Sequence, residues 1–280
     1  NCIGSCKGST GPNSINPDTN KPYHMTFPMI TIRDMVQTQK KLCDFLKITQ
    51  LHAVVGPSMG GMQALEWSIQ YPDSVKKCIL IATTAKLSPQ GLAFGTVGRH
   101  SIISDSQWNE GNYDQATPPK TGLGVARMIG HITYLSEASL TQKFGRKLQE
   151  KEDYAYSFDT EFQIESYLKY QGDKFVKTFD ANAYLYLSKA LSYYDVEKSY
   201  GSLDKAFEAV SARYLVISIS SDWLYPSSHS KVIARTLLKL NKQVSYCEVH
   251  SDYGHDAFLI EYEKFGKLIK PFLEKKNGTI

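Results

Sequence analysis

Two hydrophobic rhythms alternate along the chain. The first 30 residues are rich in Gly, Ser, Asn and Pro, as in Gly8-Ser9-Thr10-Gly11-Pro12-Asn13, and read as loop. Ile32, Met35, Val36, Leu42, Cys43 and Leu46 then recur at helical spacing and make one apolar stripe. Thr31 supplies an N-cap hydroxyl, with Asp34 three positions on, close to a capping box. Residues 51–56 form a short apolar run of the kind a buried parallel strand needs. A helix follows from Gly60 and ends at Tyr71-Pro72, because proline cannot continue it, and residues 78–82 give a second strand. The same alternation returns late in the chain. Strands are predicted at 214–219 and 244–249, a helix over 227–240, and a last helix over about 257–273. Strand–helix alternation predicts a parallel sheet covered on both faces.

Between about residues 87 and 205 the strand-like runs vanish. Helical patches at 121–134, 136–150, 161–170 and 180–194 replace them, and tyrosine is dense (Tyr184, Tyr186, Tyr193, Tyr194, Tyr200). The pattern therefore predicts an α/β core over 1–86, a helical lid inserted over 87–205, and the rest of the core over 206–280. Only 50 residues precede Leu51 and they are mostly loop, and the chain opens without Met. It reads as a core that lacks its N-terminal strands.

Composition narrows the class. In 280 residues, 42% are hydrophobic and 21% charged, close to an average globular domain, which excludes collagen-like, coiled-coil and disordered chains. No run of about 18 apolar residues exists, so no transmembrane helix is expected. The net charge of +4, 32 basic against 28 acidic residues, is too balanced for a nucleic-acid partner and leaves a small molecule as the default substrate. Five scattered cysteines (Cys2, Cys6, Cys43, Cys78, Cys247) point to free thiols in a reducing, cytoplasmic setting. Cys2 and Cys6 are spaced loosely as zinc ligands are, but no second pair follows, and no metal site is expected.

Gly56-Pro57-Ser58-Met59-Gly60 fits the Gly-x-Ser-x-Gly nucleophile elbow, with a strand before it and a helix after it. The glycines are expected because side chains would clash in so tight a turn. Ser58 then projects above a helix N-terminus, where the Met59 N–H can donate to an oxyanion. The plainer alternative is a small-residue turn joining strand to helix. A serine needs a base, and the base an orienting acid, on loops after later strands. Asp222, three residues past Ile219, and His255, six past Val249, fit that order. His250 and Asp252 compete with them, and Asp222 also suits a turn former.

Six stretches carry a resemblance. They are Gly8-Ser9-Thr10-Gly11-Pro12, Thr31-Ile32-Arg33-Asp34-Met35-Val36, Gly56-Pro57-Ser58-Met59-Gly60-Gly61-Met62-Gln63, the run from Ala126 to Tyr134, Ser221-Asp222-Trp223-Leu224 and Gly254-His255-Asp256-Ala257-Phe258-Leu259. Together they resemble the homoserine O-acetyltransferase family of α/β-hydrolase-fold enzymes. The resemblance implies a triad of Ser58, Asp222 and His255, with Arg127 gripping the homoserine carboxylate and Asp256 receiving its amine. It also implies acetyl-CoA as co-substrate and L-homoserine as acceptor, no further cofactor, a ping-pong mechanism, and a place in methionine biosynthesis. The second oxyanion donor would come from strands upstream of Asn1. The tyrosine-rich helices suit either a homodimer surface or lid core. Competing readings are a succinyl-CoA or serine O-acyltransferase, an esterase of the same fold, and a non-catalytic binding protein.

Overall fold

The computed structural model describes residues 1–114, 116–150 and 152–274. In chain order its elements begin with β1 (Ile15–Asn16), β2 (Lys21–Pro22), α1 (Ile32–Phe45), β3 (Val54–Pro57), α2 (Met59–Gln70) and β4 (Lys77–Ile81). Helices α3 (Pro89–Ile103), α4 (Lys120–Tyr134), α5 (Glu137–Lys143), α6 (Gln163–Val176), α7 (Ala181–Tyr193), α8 (Val196–Tyr200) and α9 (Leu203–Glu208) follow. The chain continues with β5 (Arg213–Ile219), α10 (Ser227–Lys239), β6 (Val244–Val249), α11 (Ala257–Ile260) and α12 (Tyr262–Glu274). These elements sort into two compact units, residues 31–88 with 193–280 and residues 1–30 with 89–192.

The first of these units holds a four-stranded sheet in the order β3-β4-β5-β6, parallel throughout. Every residue of β4 is buried, and β5 is buried from Tyr214 onward, as the middle strands of a sheet covered on both faces must be. On one face Ile79, Ile81, Leu215, Ile217 and Val249 pack with Phe265 and Phe272 of α12. Elsewhere in the unit Glu66 of α2, only 1% exposed, accepts a 2.5 Å hydrogen bond from the Tyr200 hydroxyl and lies 3.4 Å from Arg33 Nε. Burial pushes the Glu66 carboxyl upward in spite of both partners. The trio ties α1, α2 and α8 together.

Both predicted strand–helix borders near this sheet move. β3 begins at Val54 rather than at residue 51, and Leu51 makes a single parallel bridge to Val75. The predicted helix over 257–273 is two helices, broken at Glu261, whose φ of −100° and ψ of 40° are not helical.

The second unit is helical. Ile102, Tyr113, Leu123, Ala126, Ala181 and Leu185 form its core. Helix α3, which the sequence pattern did not bring out, packs closely on α4: a Cβ on Gly122 would lie 2.3 Å from the Ser101 carbonyl oxygen. The predicted patch at 136–150 shortens to α5, because Gly145 turns left-handed at φ +52° and its N–H closes on the Thr141 carbonyl. The patch at 161–170 runs on to Val176 as α6, capped by Glu165, whose carboxylate accepts from the Glu161 and Phe162 N–H groups.

The compact units divide the chain differently from the predicted borders at 86 and 205. Residues 1–30 belong with the helices: the buried Tyr186 hydroxyl donates to the Phe27 carbonyl at 2.6 Å, and the two rings meet edge to face at 5.4 Å. Helices α8 and α9 belong with the sheet, where the Val196 N–H donates to the Ala85 carbonyl at 3.0 Å. Of the five tyrosines singled out in the sequence, Tyr186 and Tyr194 are core residues.

The capping box is complete. Asp34 N–H donates to Thr31 Oγ1 at 3.3 Å, and Thr31 N–H donates back to Asp34 Oδ2 at 2.8 Å. Thr31→Ala removes one orphan-donor partner, so stability should fall by about 1 kcal/mol. Urea denaturation should show the lower midpoint at an unchanged m-value.

Candidate active site

Ser58 sits between β3 and α2 with φ of 53° and ψ of −122°, a backbone region that costs a non-glycine residue on the order of 1–3 kcal/mol. Its surroundings hold it there. The Ser58 N–H donates to the Ile81 carbonyl at 2.9 Å, and its own carbonyl accepts from Thr83 Oγ1 at 2.7 Å and from the Gly61 N–H at 3.0 Å. Glycine is required at two places. A Cβ on Gly56 would stand 2.0 Å from the Gly60 carbonyl oxygen, and one on Gly61 would stand 2.6 Å from Thr83 Cβ. Gly60, which the motif suggests is sterically required, would meet only Pro57 Cδ at 3.4 Å, an ordinary contact. Met59 is the first residue of α2, so its N–H belongs to the turn that has no intrahelical acceptor.

Asp222 follows the C-terminal end of β5, and His255 follows that of β6, in the same parallel sheet whose β3 ends just before Ser58. Both side chains are buried, each residue 3% exposed. Asp222 Oδ2 accepts from His255 Nδ1 at 2.7 Å, while Oδ1 accepts from the Leu224 and Tyr225 N–H groups at 3.0 and 2.8 Å. A carboxylate so bound has no donor role, so the proton lies on Nδ1 and leaves Nε2 with its lone pair. The two loops are laced together: the Gly254 N–H donates to Ser221 Oγ at 3.0 Å, and Ser251 N–H donates to Ser220 Oγ at 3.2 Å. His250 and Asp252 are exposed, and the bond from Asp222 goes to His255.

Sequence reasoning missed the rings that flank the imidazole. Tyr225 lies 5.2 Å from it, and Phe258 meets it edge-on at 5.7 Å. Both are neighbours in sequence of Asp222 and His255, which is the only signal that could have raised them. Asp256 is half-buried and stands at the N-cap position of α11, yet its side chain accepts no capping hydrogen bond there.

Arg127 lies on α4 in the helical unit. Its guanidinium faces the Phe175 ring at 4.8 Å and the Tyr134 ring at 5.7 Å. Among the described residues no carboxylate comes within 4.0 Å of it. Stacking on aromatic faces holds a planar cation without neutralising it. One turn on, His131 is 8% exposed; its Nδ1 shares a 3.0 Å hydrogen bond with the Tyr167 hydroxyl, and its Nε2 has no partner among the described residues. Among the described residues no group of three or more His, Cys, Asp or Glu side chains could hold a metal ion, and Cys2 and Cys6 are free thiols.

A family model of the alpha/beta hydrolase fold matches residues 1–262. A homoserine O-acetyltransferase from Methanococcus vannielii is 53% identical over 276 residues, 99% of this chain and 56% of the relative. One from Zymomonas mobilis subsp. mobilis is 51% identical over 276 residues, 98% of this chain and 74% of the relative. Among solved structures, the homoserine O-acetyltransferase of Bacillus anthracis superposes with a TM-score of 0.89 at 28% identity, covering 97% of this chain and 73% of that one. Esterase E22 superposes with a TM-score of 0.88 at 30% identity, covering 95% and 73%. The chain belongs to the alpha/beta hydrolase fold family and, within it, to the homoserine O-acetyltransferases. It spans little more than half the length of the archaeal relatives it matches.

Burial, and then the Arg127 and Lys143 charges, push His131 from 6.5 down to about 4. The folded protein therefore binds this proton more weakly than the unfolded chain does. The His131 contribution to stability should be complete above pH 6.5 and be lost as pH falls through about 4. An NMR titration should find the His131 imidazole neutral at pH 6, and unfolding free energy measured across that window should decline with acid.

Proposed function

We propose that this protein transfers an acetyl group from acetyl-CoA to the side-chain hydroxyl of L-homoserine through an acyl-serine, with Ser58, Asp222 and His255 as its triad. In the first half-reaction Ser58 Oγ attacks the thioester carbonyl while His255 Nε2 takes the hydroxyl proton. Asp222 holds the imidazole in the tautomer that leaves Nε2 basic. The Met59 N–H donates to the oxyanion of the tetrahedral adduct. That adduct collapses with cleavage of the C–S bond, and the CoA thiolate leaves with the proton from His255. In the second half-reaction His255 takes the proton of the homoserine hydroxyl, whose oxygen attacks the acyl carbon. The ester leaves, and Ser58 recovers its proton.

The observation that carries this reading over simple hydrolysis is Arg127, a guanidinium set against the Phe175 and Tyr134 rings with no acid partner among the described residues. A planar fork of donors suits the carboxylate of an amino acid, and Asp256 beside His255 supplies a counter-charge for its ammonium. An esterase of apolar esters gains nothing from such a pair. The homoserine O-acetyltransferase relatives support the same acceptor, while the likeness to esterase E22 supports hydrolysis as the rival. Water and homoserine attack the same acyl-serine, so only the acceptor separates them.

The wider setting belongs to the same proposal: no cofactor besides acetyl-CoA, the activating step of methionine biosynthesis, and a cytoplasmic site. Five free cysteines agree with a reducing compartment, and among the described residues no helix is long and apolar enough to cross a membrane. Exposed Tyr170 and Tyr193 are available to a homodimer surface.

Ser58→Ala should abolish both acetyl transfer and the covalent acetyl adduct seen by intact-protein mass spectrometry. An adduct that persists on another residue would move the nucleophile. Arg127→Ala should leave the single-turnover burst of CoA from acetyl-CoA nearly intact and cut transfer to homoserine. Losing one partner of a charged hydrogen bond costs on the order of 2–5 kcal/mol, roughly 30- to several-thousand-fold. Equal loss of burst and transfer, or loss of neither, would remove Arg127 as the acceptor clamp.

A further inference from the structure

We propose that Phe175 is a positioning residue for the acceptor: its ring fixes the Arg127 guanidinium in the pose that receives the acceptor carboxylate. This inference rests on the reading of Arg127 given above. The ring comes from a different helix, so the pose of Arg127 depends on how α4 and α6 are packed. That packing is set by two glycines. A Cβ on Gly172 would lie 3.1 Å from the Gly124 carbonyl oxygen, 3.3 Å from Gly124 Cα and 3.3 Å from Met128 Cε. The helices thus touch backbone to backbone at Gly124 and Gly172.

They also run antiparallel. From Gly124 on to His131 in α4, the neighbour in α6 moves back from Gly172 to Tyr167. A long side chain on a helix leans toward the helix N-terminus. Arg127 therefore leans back toward the level of the glycine contact and beyond it, where α6 presents Phe175, one turn past Gly172. The guanidinium carbon lies 4.8 Å from that ring centroid. Phe179 stacks on Phe175 at 4.8 Å and 16°, and the Phe179 N–H donates to the Phe175 carbonyl at 2.9 Å. Arg127 and Phe179 thus both lie against the Phe175 ring.

A long side chain with four rotatable bonds loses much freedom when it must meet a planar ligand. The ring removes part of that loss before the ligand arrives, and it does so without an acid that the ligand would have to displace. Only the acceptor step should sense it. The acyl-serine forms before the acceptor enters.

The test compares wild-type full-length protein with Phe175→Leu, Phe175→Tyr and Arg127→Ala, and with a series in which residue 175 is phenylalanine carrying increasing ring fluorination. Fluorination keeps the shape of the ring and drains the negative charge from its face. Each is measured for the CoA burst from acetyl-CoA, and for kcat and KM with L-homoserine. Phe175→Leu should raise the homoserine KM by about 2- to 30-fold, the range a cation–ring contact is worth, with burst and kcat unchanged. Phe175→Tyr should stay near wild type, and KM should climb with each added fluorine. A flat fluorine series, with Arg127→Ala still losing transfer, overturns the role of Phe175 and leaves Arg127 as the clamp. If Arg127→Ala keeps full transfer, the clamp itself is wrong and the inference falls with it. Should Phe175→Leu fold poorly, the fluorine series decides alone.

Discussion

The absence of room for a side chain at Gly56 governs the geometry of the candidate site. With the Gly60 carbonyl 2.0 Å from where a Cβ would stand, the chain leaving β3 can turn straight into α2. That turn forces Ser58 to a φ of 53°. The strain is tolerable because the Ser58 N–H and carbonyl are both bonded, to Ile81 and to Thr83 on the neighbouring strand's end. The hydroxyl-bearing residue is thereby fixed at the C-terminal end of a parallel strand and above the positive end of a helix. Relaxing the turn would move Ser58, the proposed nucleophile, and the Met59 N–H together. Parallel strands all end on one side, so the residues that follow β3, β5 and β6 emerge at the same C-terminal end of the sheet.

Two buried or half-buried charges are handled in opposite ways. Asp222 is 3% exposed, and its carboxylate accepts hydrogen bonds at both oxygens: two N–H groups on one and the imidazole on the other. A charge satisfied in this way is held rigidly and in turn fixes the imidazole bonded to it. Arg127 is held by ring faces, which fix direction, and among the described residues its N–H donors meet no carboxylate. Nearby, His131 avoids the problem by staying neutral, since the desolvation that lowers its proton affinity is reinforced by Arg127 itself. A protonated His131 would add a second cation beside the first and weaken the geometry that the rings provide.

How far the sequence could be read depended on whether a feature is local. The elbow, the capping box at Thr31 and Asp34, and the central strands were legible because each is a contiguous pattern of a few residues. Asp222 and His255 were legible from their offsets past predicted strands, though only the 2.7 Å bond separates His255 from His250 as the partner of Asp222. The hidden features depend on packing. Nothing in the spelling of residues 89–103 marks α3, whose apolar and polar positions scarcely segregate, and what it packs on shows only in contacts such as Gly122 against Ser101 and Gly98 against Tyr184. The strict need for Gly61 rather than Gly60 comes from Thr83, 22 residues further on. The affiliation of residues 1–30 with the helices rests on Tyr186, far away in sequence.

The same distinction bears on why esterases and acetyltransferases share this fold so closely. On the proposed mechanism, the chemistry of forming an acyl-serine would reside in local elements: the elbow, the laced loops and the Asp222–His255 pair. These are equally useful to a hydrolase, which accounts for a TM-score of 0.88 to an esterase beside one of 0.89 to an acetyltransferase. What decides the fate of the acyl group is the competition between water and an alcohol for one carbonyl. An amino-acid alcohol wins that competition when its bound hydroxyl is oriented, since a positioned nucleophile gains an effective concentration that free water cannot match. Orientation requires charges at fixed distances from the reacting oxygen, and such charges must be carried by residues outside the triad. Under the proposed function Arg127, set by rings and a glycine contact between two helices, takes that role. On that proposal the choice of acceptor depends on how α4 and α6 pack, and that packing is separate in sequence from the strained turn at Ser58.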